Sequence, residues 1–167
     1  MATRVGIIGL SASDDAWTSL SHALPLKKEP LSSKYQLTAV ATTSEKSAAA
    51  SAERWGIPLE KAYTSAQSLA ADPDIDLVVV GVKLPLHHEL ALPALNAGKD
   101  VFVEWPLATD MDQVRDLQAA AKRGGGRAIV GLQARTSPSI LKVRGHGRLG
   151  PRLLRSFHSQ GAGKGDY

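Results

Sequence analysis

The sequence predicts an α/β protein built on a doubly wound parallel sheet. Short apolar runs typical of strands alternate with longer segments of helical spacing along most of the chain. The predicted strands Arg4–Gly9 and Ile75–Val82 contain the runs Val5–Gly9 and Leu77–Val82, which hold only apolar residues and glycine, as is typical of central strands covered on both faces. A segment of small polar residues follows the first strand, as expected of a strand-turn-helix unit.

Each predicted strand is a short apolar run bounded by turn residues or charged residues. The strands are Arg4–Gly9, Gln36–Thr42, Ile75–Val82, Asp100–Glu104 and Ala128–Leu132. The predicted helices are Ala16–Leu24, Glu45–Trp55, Ser65–Ala71, Leu86–Ala97 and Asp110–Arg123. Right-handed crossovers would join them into one sheet with helices on both faces.

Capping residues mark several helix ends. Ser44 precedes the second helix and Gly56 follows it, and Asp110 or Thr109 caps the last predicted helix of the sheet region. Gly98 stands at the C-terminal stop position of the helix before it.

The charge of the chain changes near Arg135. Residues 1–134 carry a net charge of −2, whereas residues 135–167 hold seven Lys and Arg residues against Asp166 alone. No aromatic residues interleave with these charges and no DNA-binding motif is present, so we do not expect nucleic acid as a partner.

The strand-helix pattern also weakens after Arg135. We expect a first domain at residues 1–135 and a basic C-terminal extension at residues 136–167. Within the extension, the sequence predicts a helix at Ser137–Val143, a strand at Arg152–Phe157 and a disordered end at Gly161–Tyr167.

The composition excludes several classes of protein. Hydrophobic residues make up 43% and charged residues 22% of the chain, which is typical of a folded globular protein. No apolar run approaches the ~20 residues that span a bilayer, and no signal-peptide pattern precedes the first strand. Cysteine is absent, which excludes disulfides and cysteine metal ligands from this sequence. We expect a cytoplasmic protein.

The turn after the first strand keeps part of a phosphate-binding pattern. It reads GLSASD, and of the three glycines in a dinucleotide fingerprint only Gly9 is present. Ser11 and Ala12 are small enough for close approach of a phosphate, whereas Asp14 would oppose it unless it caps the helix. A purely structural turn would have the same sequence.

The end of the second predicted strand favours a phosphate over a bare ribose. NAD enzymes commonly place an acidic residue there, but this chain has Thr42, Thr43 and Ser44, followed by Lys46. Hydroxyl groups and a lysine suit the 2′-phosphate of NADP, and they equally suit an ordinary helix N-terminus.

Two histidines follow the third strand. Adjacent residues face different ways on a helix, so His87 and His88 do not predict a joint metal site. One of them lining the ligand crevice at the carboxyl end of the strand is the functional interpretation.

A family resemblance becomes plain in Ala97–Pro106, which reads AGKDVFVEWP. This segment resembles the AGK-x-V-x-x-E-K-P signature of the Gfo/Idh/MocA oxidoreductase family. Further matches in register are Arg4–Leu10, Asp76–Val80 and Gln133–Arg135. Within the family, the glutamate–tryptophan pair and the sequence after the sheet are most similar to the fungal galactose-regulon co-repressor branch. Trp17 and His22 also match that branch.

The resemblance implies an NAD(P)-binding Rossmann fold. In the family this domain precedes an α+β domain that supplies substrate contacts, a catalytic histidine or aspartate, and the dimer face; this sequence does not resemble that continuation. By motif match, the residues expected to bind NADP or NAD are Gly9, Ser11, Ala12, Thr42, Thr43, Pro85, His87, Glu104 and Arg135. Glu104 and Trp105 would lie beside the nicotinamide.

One departure bears on catalysis. The lysine of the E-K-P motif aligns with Trp105, and an indole neither polarises a substrate oxygen as an ammonium does nor transfers its proton. The catalytic residues are therefore left open.

The first hypothesis is an oxidoreductase-family protein, such as an accessory enzyme of fungal metabolism. The alternative is a non-catalytic, cofactor-sensing co-regulator or scaffold, in the cytoplasm or nucleus, with a protein partner or a homodimer.

Two further hypotheses remain open. The chain could be a shortened gene product that persists as a remnant, because the family pattern stops near Pro151. It could also be a Rossmann fold recruited to non-redox chemistry.

Overall fold

A computed structural model describes residues 1–145 and contains one six-stranded sheet in which all neighbouring strands are parallel. The strand order is β3-β2-β1-β4-β5-β6. The strands are β1 (Thr3–Ile8), β2 (Tyr35–Ala41), β3 (Ala62–Tyr63), β4 (Leu77–Val80), β5 (Asp100–Glu104) and β6 (Ala128–Gly131). The prediction of a doubly wound parallel sheet is confirmed.

The helices lie between the strands as the sequence predicts. They are α1 (Leu24–Leu26), α2 (Glu45–Trp55), α3 (Ala66–Ala71), α4 (His87–Asn96), α5 (Met111–Gly124) and α6 (Pro138–Gly145). A π-helical turn at Ser19–Ala23 runs directly into α1, and 3-10 turns occupy Leu59–Lys61, Leu84–Leu86 and Gln133–Thr136.

Two details differ from the predicted elements. The segment predicted as a first α-helix, Ala16–Leu24, contains the π turn. Strand β3 was not predicted, because its two residues carry no periodic pattern and are defined by pairing of Ala62 and Tyr63 with the end of β2.

Alternating side chains of the strands build one core layer on each face of the sheet. On one face, Val78, Val80 and Val101 pack in a cluster that includes Leu95 of α4 and Leu117 of α5. On the other face, most members of the cluster come from β1, β2, β4, the π turn and α2; they include Val5, Ile7, Val40, Val79, Ala23 and Trp55. The central strands β1 and β4 are therefore covered on both faces.

The predicted caps are present. Ser44 accepts a hydrogen bond from the Ser47 N–H at 3.2 Å, and Gly56 ends α2 in the left-handed conformation. Asp110, rather than Thr109, caps α5 by accepting from the N–H groups of Asp112 and Gln113. These caps fix where α2 and α5 begin, next to the carboxyl ends of β2 and β5.

The chain divides into two compact units, Met1–Gly131 and a second that begins at Leu132. In the second unit, α6 coincides closely with the helix predicted at Ser137–Val143. The predicted boundary after Arg135 stays a prediction. The calls for a strand at Arg152–Phe157 and a disordered end at Gly161–Tyr167 lie outside the described residues.

Within residues 1–145, no helix is long and apolar enough to cross a membrane.

Candidate functional site

The turn after β1 requires glycine. Gly9 has a backbone φ of +84°, and a Cβ there would lie 2.6 Å from Val82 Cγ1 and 2.8 Å from the Gly81 carbonyl oxygen. The Thr18 hydroxyl donates to the Gly9 carbonyl at 2.9 Å. Because the strand order reverses between β1 and β4, this turn lies where open α/β sheets bind ligands.

Side chains of α2 hold the loop that follows this turn. The Ser51 hydroxyl donates to the Leu10 carbonyl at 2.8 Å, and the Trp55 indole N–H donates to the Ser11 carbonyl at 2.7 Å. The loop thus has two anchors from a neighbouring helix in place of the second and third glycines of the fingerprint.

The negative charge of Asp14 is paired. Arg54 donates from Nε to Asp14 Oδ1 at 2.8 Å, and its guanidinium lies 5.0 Å from the centroid of the Trp55 ring. Pairing with a guanidinium reduces the repulsion that this carboxylate would exert on a nearby phosphate.

A cavity of about 500 Å³ opens between this loop and the start of α2. Its lining includes five of the predicted cofactor residues, namely Gly9, Ser11, Ala12, Thr42 and Thr43. The other lining residues are Leu10, Ser44, Lys46, Ser47, Ala50 and Ser51. The volume falls within the roughly 300–1,000 Å³ typical of small-molecule sites, and the small and hydroxyl-bearing side chains of the wall fit the phosphates of a nucleotide.

Hydroxyl groups stand at the end of β2 where many NAD enzymes have a carboxylate. Thr42 Oγ1 lies 2.7 Å from Ser47 Oγ, and Ser47 Oγ lies 2.9 Å from Ser44 Oγ. Lys46 is exposed and lines the same cavity. No lining residue of this cavity carries a carboxylate, so an anionic group meets only neutral and positive side chains in its wall.

At the end of β4, His87 connects two loops. Its side chain is buried, with Nδ1 2.8 Å from the Pro106 carbonyl oxygen and Nε2 2.9 Å from the Val82 carbonyl oxygen. Both partners are acceptors, so a neutral imidazole donates to one of them and an imidazolium to both. Pro85 lies in the 3-10 turn just before. Direct contact of His87 or Pro85 with a cofactor stays a prediction.

Glu104 ends β5 and is almost fully buried. Its Oε1 lies 2.5 Å from His22 Nε2 and accepts from the Trp17 indole N–H at 3.2 Å. The glutamate of the motif is therefore fixed by the segment that follows the Gly9 turn. Its contact with a cofactor stays a prediction.

Trp105 occupies the position of the family's lysine and is 66% exposed. Its two neighbours are held, because Glu104 is buried and the Pro106 carbonyl contacts His87. The loop thus presents an indole, a side chain without a proton to exchange in the ordinary pH range.

Arg135 belongs to the second unit, in the turn Gln133–Thr136, and its predicted role stays a prediction. In residues 1–145, no group of three or more histidine, aspartate or glutamate side chains could hold a metal ion.

Sequence reasoning missed the His22–Glu104 pair as a feature of the site. The two residues are 82 positions apart, so no local pattern joins them. The sequence likewise indicates Ser51 and Trp55 only as helix residues, because their hydrogen bonds to the loop after Gly9 cross 41 and 44 positions.

The parallel strand order, the glycine turn and the adjoining cavity define a dinucleotide-binding Rossmann domain. The family model described as oxidoreductase family, NAD-binding Rossmann fold, matches residues 3–132. The chain therefore belongs to the Gfo/Idh/MocA family, and the resemblance noted from the motifs is confirmed.

Curated relatives include both enzymes and a regulator. The chain is 45% identical over 141 residues to the dehydrogenase aclE of Aspergillus oryzae, covering 84% of this chain and 38% of aclE. It is 31% identical over 147 residues to the galactose/lactose metabolism regulatory protein GAL80 of Saccharomyces cerevisiae, covering 84% and 33%. The chain thus spans less than half the length of these relatives.

A solved enzyme structure is also similar. KijD10, a 3-ketoreductase from Actinomadura kijaniata solved with TDP-benzene and NADP, matches with a TM-score of 0.70 and 32% identity, covering 86% of this chain and 42% of KijD10. The relatives support both the oxidoreductase hypothesis and the regulator hypothesis.

Proposed function

We propose that this chain binds NADP(H) in preference to NAD(H) and forms the cofactor-binding part of an oxidoreductase similar to the fungal dehydrogenase among its relatives. The observation that carries the proposal is the 500 Å³ cavity, whose wall at the end of β2 offers Thr42, Thr43, Ser44 and Lys46 and no carboxylate.

Each group has a physical role in this proposal. Gly9 lets the backbone approach the pyrophosphate closely. The hydroxyls of Thr43 and Ser44 and the ammonium of Lys46 surround the 2′-phosphate, which an acidic residue would repel. When bound, the nicotinamide supplies hydride chemistry, and this chain's own residues orient it.

The test is a titration of the 167-residue chain with NADPH and with NADH, followed by nicotinamide fluorescence. We expect tighter binding of NADPH. The variant K46A should weaken NADPH binding about tenfold and leave NADH binding nearly unchanged, because only NADPH has the 2′-phosphate. The matched control is K28A, which removes an exposed lysine outside the cavity. Equal binding of NADPH and NADH, or no binding of either, would refute the proposal.

The second candidate is a cofactor-sensing regulator or scaffold that assembles with a protein partner or with itself. Trp105 favours it, because a sensor needs binding without turnover and the indole replaces the lysine of the family's motif. Dinucleotide binding without measurable oxidation of polyols or reduction of ketones, together with a cofactor-dependent change in partner binding or oligomeric state, would support this candidate over the first. Nuclear or cytoplasmic location would follow from that partner.

A further inference from the structure

The His22–Glu104 pair is a charged cluster that the cofactor cavity does not include. Glu104 Oε1 lies 2.5 Å from His22 Nε2, and their side chains are 11% and 10% exposed. The Trp17 indole donates to the same carboxylate oxygen at 3.2 Å. A carboxylate so enclosed is shielded from water, and the charge state of its partner therefore acts over a longer range.

The π turn explains why two residues five positions apart reach one oxygen. In an α-helix, residues 17 and 22 would point about 140° apart. Here the Leu24 N–H donates to the Ser19 carbonyl, a bond that spans five residues and widens the turn. The wider turn brings Trp17 and His22 to the same side.

The surroundings of His22 contain few other charges. The imidazole packs edge-on against Phe102, with 5.4 Å between ring centroids, and it lines a cavity of about 340 Å³. Among the residues lining this cavity, Tyr35 is the one other titratable side chain, and β1 and β4 contribute apolar side chains. Glu104 of β5 is thus the charged group that His22 faces directly in this part of the chain.

The pair is linked to the Gly9 turn through Trp17 and Thr18, and Glu104 lies on the β5 side of β1, away from the hydroxyl groups of β2. Thr18 donates to the Gly9 carbonyl, and the neighbouring Trp17 donates to Glu104. A dinucleotide whose adenosine lies over β2 and whose phosphates lie at the turn extends toward β4 and β5, where Glu104 ends its strand.

We propose that the His22–Glu104 pair sets the preference of this site between oxidised and reduced cofactor, as a function of pH. This inference rests on the proposed function. With a protonated imidazole the pair has no net charge, and with a neutral imidazole it has a charge of −1. The oxidised nicotinamide ring carries a positive charge and the reduced ring does not. Loss of the imidazole proton therefore strengthens binding of NADP⁺ relative to NADPH.

The test measures the dissociation constants of NADPH, by fluorescence, and of NADP⁺, by displacement of NADPH, between about pH 5 and about pH 8, where imidazoles titrate. We expect the affinity of NADP⁺ relative to NADPH to rise about fivefold with pH, the size expected of one screened unit charge at several ångströms. This ratio reports binding and needs no turnover.

One variant and one control test whether His22 causes the pH dependence of the affinity ratio. H22Q keeps a neutral donor near the carboxylate, so its ratio should stay high and independent of pH. H88N disrupts a different histidine–carboxylate pair, His88–Asp116, and should behave like the wild type. Thermal unfolding shows whether H22Q folds. If it does not fold, the pH dependence of the wild-type affinity ratio still tests the proposal.

The possible failures are distinct. A constant wild-type ratio with both cofactors bound, or a pH-dependent ratio that survives in H22Q, would overturn this inference and leave the proposed function standing. Absence of binding at every pH would overturn the proposed function itself.

Discussion

The two edges of the parallel sheet differ in how their polar and charged side chains are arranged. At the amino edge, charged side chains pair with one another: Arg4 with Asp74 and Asp76, and Lys61 with Asp72 and Asp74. At the carboxyl edge, the glycine turn borders a hydroxyl-lined cavity, and the buried His87 follows β4. The charged side chains of the amino edge are thus paired with one another, whereas hydroxyl groups and Lys46 line the cavity at the carboxyl edge.

The contacts of the amino edge shift the pKa values of its acidic groups and of Tyr63. Hydrogen bonds from Arg4 lower the pKa of Asp76 to about 2. Burial by itself would raise the pKa of Asp72, but hydrogen bonds from Lys61, the Asp74 N–H and Tyr63 lower it on balance. Burial and the Asp72 contact raise the pKa of Tyr63 to about 12. The amino edge is therefore held together by ion pairs and hydrogen bonds, whereas the proposed cofactor site lies at the carboxyl edge.

The largest expected effect comes from filling the glycine turn at the carboxyl edge. G9V adds a branched side chain where even a Cβ would lie 2.6 Å from Val82 Cγ1, at a φ of +84°. We expect a loss of about 3 kcal/mol or more in the free energy of unfolding, from strain and overpacking together. Urea denaturation measures the loss, and NADPH fluorescence should show no binding.

Gly56 provides the matched control. It also has a positive φ, +69°, but a Cβ there would meet nothing within 4 Å. G56A should cost only about 1 kcal/mol and leave NADPH binding intact. Equal effects of G9V and G56A would show that the close approach at Gly9 has no special role.

The features that could be predicted from the sequence are those that depend on neighbouring residues. The apolar runs of β1 and β4, the caps Ser44 and Asp110, and the turn at Gly9 all depend on neighbours in sequence, and they were found. Five predicted cofactor residues share a cavity because they follow two neighbouring strands.

Features that depend on tertiary contacts were not predicted. The two-residue strand β3 exists through pairing with β2, and the π turn places His22 against Glu104, 82 positions away. A pattern based on one period cannot indicate a helix whose turn widens locally. The burial of His87 between two carbonyl groups likewise required the folded positions of Val82 and Pro106.

A smaller effect is expected from breaking the contacts of His87. H87A removes a buried side chain that lies within 2.9 Å of two backbone carbonyl groups. We expect a loss of about 2–3 kcal/mol in the free energy of unfolding, because a cavity forms and a carbonyl loses its donor. Urea denaturation measures it. The control H88A removes a partly exposed pair and should cost less than about 1 kcal/mol; an equal loss in both variants would contradict the role of the two carbonyls.

The smallest effect concerns the amino edge and tests whether the two edges are independent. Because the folded pKa of Asp76 is lowered from 3.8 to about 2, its contribution to stability is present above pH ~4 and is lost as the pH falls toward 2. Asp76 is partly exposed, so D76N should cost only about 1 kcal/mol near neutral pH and little near pH 2. Urea denaturation at several pH values measures this, with D112N in an exposed pair as control.

In the same D76N variant, NADPH affinity should stay within about twofold of the wild type, since Asp76 lies at the edge away from the cavity near Gly9. A tenfold change in that affinity would mean that charge at the amino edge acts on the ligand site through the sheet.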